Sequence, residues 1–534
     1  MPTFAYPELP LDGLLRRAAV RDPAGLAVRT VTRTAGTTTV TFAELDGRAD
    51  RVADYLEHTL GRRSARIGVA NVLDPTFAAA YYGTVRSGNT VVLVNPLIKE
   101  AGLLHVLRTA AVEVAFVPTA TAELLIKLGD RLPDLHAVVV TDAPDGIVPG
   151  DALPLARVLD SAPERTTLPG PVDLDGEACV QFTTGSTGRP KGVRLTHRNL
   201  VANAAQTAAA HDLGSDSVTV NHLPLHHTMH LNSGVYAGAF QVLCADPDPI
   251  ASLALAARVE ATHYYGLPAR LHVLARDERL TDGTLPDAFP AGRRLTAVLS
   301  GGTALSPTAA RTLAQRLGVP VIQGYGLAEL SPLSHCQSPR HPKTGSVGPA
   351  VPGTECRVVR IGTRAPLGSR TTGEVQVRGP QVMAGYLDDD APSPIDADGW
   401  FSTGDVGYFD EDGELFLVDR LGDVFKYDNE LVSPTAVERV VGADPRVAEC
   451  IVAGWPDPVH GEVVWTGIVL RDPTAPDLLD VLDSVVERAN ENLDPFAQIR
   501  RVEVIDVVPR NHVGKPERHM LRHSLRARAE AEAR

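Results

Sequence analysis

The sequence has few cysteines and no apolar run long enough to cross a membrane. The cysteines are odd in number and scattered, with no CxxC pair among Cys179, Cys244, Cys336, Cys356 and Cys450. This excludes a disulfide framework and a cysteine-rich zinc site, and it favours a reducing compartment. No stretch reaches the ~18 apolar residues of a membrane span, and the first residues contain prolines and charges where a signal peptide needs an apolar run. We therefore expect a cytoplasmic protein with no membrane partner.

Lysine is also scarce, and acidic residues outnumber basic ones. The formal net charge is -14, so the surface repels nucleic acid, which we exclude as a partner. Arginine stands in place of lysine almost everywhere, and the only lysines are Lys99, Lys127, Lys191, Lys343, Lys426 and Lys515. An anionic substrate would need positive charge concentrated at its site, so the lysines that fall in motifs are candidates for that site.

With 534 residues the chain is too long for one core, and we expect at least two domains. The pattern predicts a strand over 67–70, a helix over 76–86 and a strand over 91–94, which together form a βαβ unit. The same alternation returns at 137–141, 179–183, 263–266, 296–300 and 321–323. The predicted fold class is therefore α/β, with layers of parallel strands and helices.

The pattern changes after residue 345, where short strands follow at close spacing. Turns are expected at Gly353, Gly373–Glu374, Asp412–Gly413 and Asp428–Asn429. We predict a large N-terminal α/β domain over residues 1–420, with a β-rich subdomain over about 345–420. A small mobile C-terminal α+β domain would follow over 421–534, which is an ordinary size for a small domain.

The densest local signal is a Gly/Ser/Thr segment that directly follows a predicted strand, from Thr183 to Gly192 (TTGSTGRPKG). Glycines allow tight backbone bends, so hydroxyl and N–H groups can turn towards a polyphosphate, and Lys191 adds positive charge. The segment is not a Walker A loop, because Pro190 precedes the lysine where that motif requires glycine. A flexible loop without a ligand is the alternative, but so many hydroxyl and turn residues ending in Pro-Lys-Gly favour a phosphate site.

This segment resembles the signature of the adenylate-forming superfamily, which includes acyl-CoA synthetases, luciferases and peptide-synthetase adenylation domains. Similar pieces follow in the family's order across most of the chain, which makes the resemblance specific. They are Arg86–Thr90, Leu223–His227, Ser300–Gly302, Gly324–Glu329, Trp400–Asp405, Asp419–Arg420 and Gly514–Lys515. The resemblance implies the superfamily's fold, with an active site in the cleft between two domains. It also implies the reaction, in which ATP and an acid form an acyl-adenylate and pyrophosphate.

The resemblance further implies which residues hold the nucleotide. Tyr325 would lie against the purine, Asp405 would accept hydrogen bonds from the ribose, and Glu329 would be the Mg²⁺ ligand. The complete set implied for ATP is Thr183, Thr184, Gly185, Ser186, Thr187, Gly188, Lys191, Gly301, Gly302, Thr303, Gly324, Tyr325, Gly326, Ala328, Asp405 and Arg420.

The reaction itself requires positively charged groups at the site. An ionised acid is already a nucleophile, so the first step needs no base; it needs two anions to be aligned and the charge on phosphorus to be neutralised. Mg²⁺ and lysine side chains supply positive charge. The resemblance implies that Lys515 reaches both the acid's oxygen and the α-phosphate. The candidate catalytic residues are Lys515, Glu329, Lys191 and His227.

The predicted acid pocket is rich in histidine. His222, His226, His227 and His230 crowd a segment where relatives show an aromatic residue or a single histidine, and His230 takes the position of a glycine. A metal site is a weak alternative, because Pro224 interrupts any helix that would align the imidazoles, and simple packing is another. We expect His227 and His230 to shorten and polarise the pocket, which favours a small or polar acid. The predicted pocket residues are His226, His227, His230, Gly266, Ser300, Gly301 and Gly324.

Three positions depart from the family pattern. Ala328 stands where a threonine is usual, which removes a hydroxyl contact worth ~1 kcal/mol. Gly422 stands at the expected hinge and tolerates the dihedral change of a rotating domain. Asn429 replaces a glycine on the turn that lines the pantetheine channel of acyl-CoA synthetases. Asparagine accepts the left-handed turn conformation, but its side chain would narrow the channel.

Three functions stay open. The first, which the resemblance favours, is an acyl- or aryl-CoA ligase of secondary metabolism that uses ATP, Mg²⁺ and CoA, as a monomer or homodimer. The second passes the adenylate to an amine or a carrier protein, or takes nitrite as the acid, as an ATP-dependent diazotase of aryl amines does. The third is a nucleotide-binding homologue without catalysis, which the intact Lys191, Glu329, Asp405 and Lys515 disfavour.

Overall fold

The computed structural model describes residues 4–32, 36–143, 146–160, 172–183, 190–280, 294–387, 393–428, 430–472, 478–510 and 516–532. Their contacts divide the chain into two compact units. The first unit comprises residues 1–356 and 377–401, and the second comprises residues 357–376 and 402–534. The sequence-based boundary after Arg420 stays a prediction.

The described strands and helices alternate along most of the chain. The strands are β1 (Leu26–Val31), β2 (Thr37–Thr41), β3 (Arg66–Ala70), β4 (Thr90–Val94), β5 (Val114–Val117), β6 (Ala137–Val140), β7 (Leu153–Pro154), β8 (Glu177–Thr183), β9 (Lys191–Thr196), β10 (Val218–His222), β11 (Phe240–Cys244), β12 (His263–Gly266), β13 (Ala297–Ser300), β14 (Val321–Gly326), β15 (Leu333–Cys336), β16 (Glu355–Val359), β17 (Gly373–Arg378), β18 (Gly385–Tyr386), β19 (Phe401–Phe409), β20 (Leu415–Arg420), β21 (Phe425–Tyr427), β22 (Glu430–Val432), β23 (Val447–Asp457), β24 (Gly461–Leu470) and β25 (Ile499–Val504). The α-helices are α1 (Gly13–Arg21), α2 (Phe42–Leu60), α3 (Pro75–Arg86), α4 (Glu100–Thr109), α5 (Thr119–Leu128), α6 (Leu155–Leu159), α7 (His197–Ala210), α8 (Thr228–Ala237), α9 (Pro249–Arg258), α10 (Pro268–Arg276), α11 (Pro307–Leu317), α12 (Pro434–Val441), α13 (Leu478–Asn490) and α14 (Arg518–Glu532). Among these residues, no helix is both long and apolar enough to traverse a lipid bilayer.

The first unit contains two large sheets, each eight-stranded over the described residues. One has the order β15-β14-β13-β12-β10-β11-β1-β2 and is parallel from β14 to β1. The other has the order β18-β9-β8-β4-β3-β5-β6-β7 and is parallel from β8 to β7. The carboxyl ends of parallel strands share one edge, which is where open α/β sheets bind ligands. The predicted α/β class is confirmed.

The predicted strand–helix–strand unit near the amino terminus is present as β3, α3 and β4. Every residue of β4 (TVVLV) is buried, as expected of a parallel strand covered on both faces. Helix α3 begins where the Asp74 side chain accepts a hydrogen bond from the N–H of Thr76, with Pro75 in the first turn. Apolar side chains of β4 and α4, among them Val92, Val94 and Leu103, join one buried cluster.

The second unit contains the closely spaced strands that the sequence predicts after residue 345. One sheet has the order β16-β17-β19-β20, and another has the order β22-β21-β24-β23, with β25 paired to β24. Helices α12 and α13 cover the second sheet through a shared apolar cluster that includes Val437, Val452, Ile468 and Val485. This mixture of strands and helices matches the predicted α+β character of the C-terminal part.

One predicted turn is wrong. Gly373–Glu374 begins strand β17 instead of forming a turn. A Cβ added to Gly373 would lie 2.2 Å from the carbonyl oxygen of Val359. Glycine is therefore present because another strand approaches closely, not because the chain reverses there. The turns predicted at Gly353 and Asp412–Gly413 are found, with φ of 71° at Gly353 and 78° at Gly413.

Arg86, at the end of α3, joins three helices of the first unit. Its guanidinium is fully buried and forms ion pairs with Asp12 (3.3 Å), Asp46 (2.5 Å) and Asp50 (3.0 Å). Asp12 precedes α1, and the other two carboxylates belong to α2. A buried charge with several partners is costly to leave incomplete. The Arg86–Thr90 motif therefore has a structural role in holding the helices together.

We predict that Arg86→Met lowers the free energy of unfolding by about 3–5 kcal/mol, because three carboxylates lose their buried partner. The control is Arg16→Met, since Arg16 pairs with Asp46 and Asp50 while its side chain is 37% exposed. Urea unfolding should detect a loss of only about 0–1 kcal/mol for this control. Equal losses in the two variants would contradict the role assigned to Arg86.

Candidate active site

The predicted acid pocket lies at the carboxyl ends of neighbouring parallel strands. Gly266, the last residue of β12, pairs with Ser300, the last residue of β13, and Ser300 pairs with Gln323 in β14. Gly324 follows in β14, and Gly301 follows Ser300. Four of the predicted pocket residues are thus brought to one edge of one sheet.

This edge has both space and an unsatisfied polar atom. The hydroxyl of Ser300 is buried and has no hydrogen-bond partner among the described residues. A buried polar group left unpaired costs roughly 1–3 kcal/mol, so a polar ligand atom here would be stabilising. Among the described residues, a Cβ added to Gly301 would meet only the carbonyl oxygen of Gly324, at 3.9 Å. Gly302 has φ of 90° and is exposed, as is Thr303.

The segment predicted to enclose the adenine continues from β14. Tyr325 is only 8% exposed, and its ring centroid lies 5.8 Å from that of His335. A Cβ added to Gly326 would lie 2.0 Å from the carbonyl oxygen of Pro332, so this position accepts only glycine. Ala328 begins the short 3₁₀ turn that carries Glu329. The roles of these residues towards ATP stay predictions.

Two of the four clustered histidines are packed inside the protein. The ring of His222 is fully buried, with Nδ1 3.1 Å from the Tyr264 hydroxyl and Nε2 donating to the carbonyl of Asp246 at 2.8 Å. His226 is also fully buried, and its Nε2 donates to Oε1 of Gln241 at 3.3 Å. For His222 the simple packing explanation therefore holds. The place of His226 in the pocket stays a prediction.

The other two histidines form a half-buried aromatic wall. His227 precedes α8, and its Nδ1 accepts a hydrogen bond from the N–H of Met229 at 3.1 Å. In the neutral ring the proton is therefore on Nε2, which acts as a donor. The His230 ring centroid lies 6.1 Å from that of His227 and 4.1 Å from that of Tyr265. The Tyr265 hydroxyl is in turn 3.0 Å from Nδ1 of His211.

Sequence reasoning missed Tyr265 as a neighbour of this wall. The strand alternation that puts Tyr264 and Tyr265 on opposite faces of β12 was a usable signal. Tyr264 packs into the apolar cluster beneath the sheet, whereas Tyr265 reaches His230 and His211. The pairing with α8 residues depends on tertiary structure and could not be read from the strand alone.

Burial keeps these imidazoles neutral. It lowers the pKa of both His226 and His227 to about 4. Burial also lowers the pKa of His230 well below its usual value, and the neighbouring His227 adds to this shift. Nδ1 of His230 is buried and lacks a hydrogen-bond partner among the described residues. The wall is therefore polar and able to form hydrogen bonds, but it carries no charge near neutral pH.

Lys191 and Glu329, which are far apart in sequence, both contact Tyr386. The Tyr386 hydroxyl donates to Oε1 of Glu329 at 2.9 Å. The Lys191 ammonium lies 5.1 Å from the centroid of the Tyr386 ring. All three side chains are half-buried. The structure thus brings together two of the predicted catalytic residues, one cationic and one anionic, on a tyrosine that sequence reasoning did not single out.

A hydrogen bond to Pro190 holds the C-terminal end of the Gly/Ser/Thr segment. Nε2 of His105, in α4, donates to the Pro190 carbonyl at 2.9 Å. Lys191 then begins β9 and pairs with Thr183 at the end of β8. Among the residues predicted for the phosphate site, Thr184, Gly185, Ser186, Thr187 and Gly188 lie outside the described residues.

Asp405 and Arg420 are brought together within the second unit. They are register partners in β19 and β20, and Nε of Arg420 lies 2.7 Å from Oδ1 of Asp405. Asp405 is 5% exposed, whereas the Arg420 side chain is half exposed. The carbonyl of the predicted hinge residue Gly422 accepts a hydrogen bond from Arg522. Two further predicted residues, Asn429 and Lys515, lie outside the described residues.

We predict that acid destabilises the protein through its buried neutral histidines. The pKa of His226 falls from an ordinary value of 6.5 to about 4 in the folded state. Between these two pKa values the unfolded chain binds more protons than the folded protein. The contribution of this histidine to the free energy of unfolding is therefore fully present above pH 6.5 and is lost as the pH falls towards 4. For one such histidine the loss is about 3 kcal/mol.

Urea unfolding at several pH values tests this expectation. The slope of the free energy of unfolding against pH reports how many protons are taken up on unfolding. In His226→Gln this number should be lower by about one between pH 6.5 and 4. The control is His341→Gln, which removes an exposed imidazole and should keep the wild-type slope. A wild-type slope in His226→Gln would contradict the prediction.

Known proteins resemble the chain over nearly its whole length. The family model described as AMP-binding enzyme matches residues 15–387, and the model described as AMP-binding enzyme C-terminal domain matches residues 436–515. A relative from Oryza sativa subsp. japonica, 4-coumarate–CoA ligase 2, is 30% identical over 518 residues, covering 92% of this chain and 88% of the relative.

Solved structures agree with this similarity. ATP-bound MatB from Rhodopseudomonas palustris has a TM-score of 0.83 and 25% identity, covering 98% of this chain and 100% of that one. The o-succinylbenzoate CoA synthetase MenE from Bacillus subtilis, in complex with its acyl-adenylate intermediate, shares the fold with a TM-score of 0.79 at 24% identity, covering 96% and 98%. The chain belongs to the AMP-binding enzyme family and is an ATP-dependent adenylate-forming ligase.

Proposed function

We propose that the chain joins a small or polar carboxylic acid to CoA. In the first step a carboxylate oxygen attacks the α-phosphorus of ATP, and pyrophosphate leaves. In the second step the sulfur of CoA attacks the acyl carbon, the thiol proton is released, and AMP leaves with the former carboxylate oxygen. The observation that carries the choice of CoA is the match to a 4-coumarate–CoA ligase over 92% of this chain.

Mg²⁺ fits the side chains that surround Tyr386. Glu329 is half-buried, and Tyr386 donates to its Oε1, so Oε2 is the oxygen that would ligate a cation. Mg²⁺ prefers one or two carboxylates together with phosphate oxygens. Within the part of the chain that the structure describes, no group of three or more His, Cys, Asp and Glu side chains is arranged for a metal. Phosphate oxygens would therefore complete the coordination, and the bound cation would neutralise part of their charge.

The chain's own residues would align the reactants. Lys191 supplies positive charge at the end of the Gly/Ser/Thr segment, and Lys515 would neutralise charge at the α-phosphate. Asp405 would accept hydrogen bonds from the ribose, next to Arg420. His227 would donate from Nε2, because its Nδ1 is occupied by the N–H of Met229.

The neutral histidine wall supports the proposed acid class. The His230 ring lies 4.1 Å from the Tyr265 ring, and by filling this space it would disfavour a long aliphatic chain. Its Nδ1 and the Ser300 hydroxyl are buried polar atoms without partners among the described residues, so an acid with a polar group would pair at least one of them. A purely apolar chain would leave both atoms unsatisfied.

The first experiment measures pyrophosphate release with ATP and Mg²⁺ over short aliphatic, aryl and amino acids and nitrite, with and without CoA. We expect one class of carboxylic acid to stimulate release, and we expect CoA to raise turnover with a thioester detected by mass spectrometry. Lys515→Ala should lower release by roughly 100-fold or more, because charge on the α-phosphate loses its cation. The control is Lys99→Ala, which removes an exposed lysine and should keep wild-type rates.

The same experiment separates the alternative acceptors. If CoA changes nothing while an amine or a carrier protein raises turnover, the CoA proposal is wrong and a non-CoA ligase replaces it. If nitrite together with an aryl amine gives the highest turnover, the chain is a diazotase.

We predict that His230→Ala extends the range of acids towards longer chains. Removing the imidazole opens space against Tyr265, and alanine is compatible with helix α8. Acid-dependent pyrophosphate release should then show a lower KM for medium-chain acids, with a higher KM for short polar acids. The matched control is His341→Ala, which lies on the surface. An unchanged preference in His230→Ala would contradict the proposed role of His230.

A further inference from the structure

We propose that Tyr386 is a positioning residue that holds Glu329 and Lys191 in a fixed relation for binding of the metal–ATP complex. The inference rests on the proposed function, because it takes Glu329 as the cation ligand and Lys191 as a phosphate contact. Tyr386 itself would touch neither ATP nor the acid. It would act through the two charged side chains that it contacts.

The backbone around Tyr386 fixes its position from two directions. Strand β18 pairs with β9, with Tyr386 opposite Val193. On one side of Tyr386, the N–H of Leu387 donates to the carbonyl of Gly192 at 2.7 Å. On the other side, the N–H of Met383 donates to the carbonyl of Glu329 at 2.8 Å. The short segment 383–387 is therefore bonded both to the strand that begins with Lys191 and to the turn that carries Glu329.

The side chain of Tyr386 makes two contacts of different kinds. Its hydroxyl donates to the Glu329 carboxylate, and its ring faces the Lys191 ammonium. A phenol is protonated near neutral pH, so the Tyr386 hydroxyl is the donor and the Glu329 carboxylate is the acceptor. Donation to an anion increases the electron density of the ring, which strengthens its attraction for a cation. The two contacts therefore support each other.

These two contacts involve side chains of opposite charge. Glu329 and Lys191 have opposite charges, and Tyr386 contacts both of them. The tyrosine gives the carboxylate a neutral donor and gives the ammonium a neutral face. Each charge is thus held without being neutralised, and each remains able to act on an oppositely charged part of a metal–nucleotide complex.

Two substitutions separate the two contacts. Tyr386→Phe removes only the hydroxyl, whereas Tyr386→Leu removes the hydroxyl and the aromatic face. The readout is the dissociation constant of ATP by isothermal titration calorimetry, measured with Mg²⁺ and with EDTA, which needs no acid, no CoA and no turnover. The matched control is Tyr55→Phe, because Tyr55 is also half-buried and packs against a ring, that of Phe116, away from the predicted site residues.

We expect Tyr386→Phe to reduce the gain in ATP affinity that Mg²⁺ provides by about tenfold, the effect of losing one hydrogen bond to a charged group. In EDTA it should change ATP affinity only slightly, because the aromatic face that contacts Lys191 remains. Tyr386→Leu should weaken ATP binding in both conditions, since Lys191 also loses its contact. Tyr55→Phe should behave as the wild type.

A double-mutant cycle with Glu329→Gln tests whether Tyr386 acts through Glu329. If it does, Tyr386→Phe will cause no further change in the Glu329→Gln background. The proposal is overturned if Tyr386→Phe keeps the full Mg²⁺-dependent gain, if the effects of the two substitutions add, or if the wild type shows no such gain. Absence of a thioester product in the wild type would instead refute only the CoA step.

Discussion

Strand β9 is hydrogen-bonded on both sides, to β8 and to β18, and the candidate phosphate site depends on this pairing. The pairing with β8 places Lys191 opposite Thr183, so the Gly/Ser/Thr segment begins and ends at neighbouring points of one sheet. The pairing with β18 brings in Tyr386, which belongs to a distant part of the sequence. Through Tyr386 the same strand is connected to Glu329. A charged site is thus built on backbone hydrogen bonds that do not depend on the charges themselves.

In the first unit, charged side chains and neutral polar side chains contact different tyrosines. Positive and negative side chains meet at Tyr386, whereas the histidine wall beside Tyr265 is held neutral by burial. A carboxylate gains little from a neutral imidazole and more from a lysine ammonium. Under the proposed function, electrostatics would direct the reacting carboxylate towards Lys191, and the remainder of the acid would pack on the imidazoles. The low pKa values of the histidines would thus help to orient the proposed substrate.

Local sequence patterns predicted the regular elements and failed where a residue serves a distant contact. The strand predicted over 263–266 has the bounds of β12, because two adjacent tyrosines favour a strand and Gly266 ends it. Gly373 was assigned to a turn, yet it lies in β17 because Val359 approaches closely, which only the tertiary structure determines. Tyr386 was missed for a similar reason, since its partner Glu329 lies 57 residues away. The sequence already singled out His227 and His230 among the four histidines, and in the structure His222 is packed, with both ring nitrogens bonded within the protein.

The packed histidines also explain why the pocket can be polar without weakening the sheet below it. His222 satisfies both ring nitrogens within the protein, through Tyr264 and the Asp246 carbonyl, so it adds rigidity where β10 ends. Nδ1 of His230 has no hydrogen-bond partner among the described residues, and the His230 ring lies against Tyr265. A buried polar group whose hydrogen bonds are satisfied favours one arrangement of the core. An unsatisfied buried group instead favours binding of a ligand that supplies the missing hydrogen bond. The fold thus gives different surroundings to members of one histidine cluster, and if His230 contacts the acid as proposed, specificity can change there while the sheet stays intact.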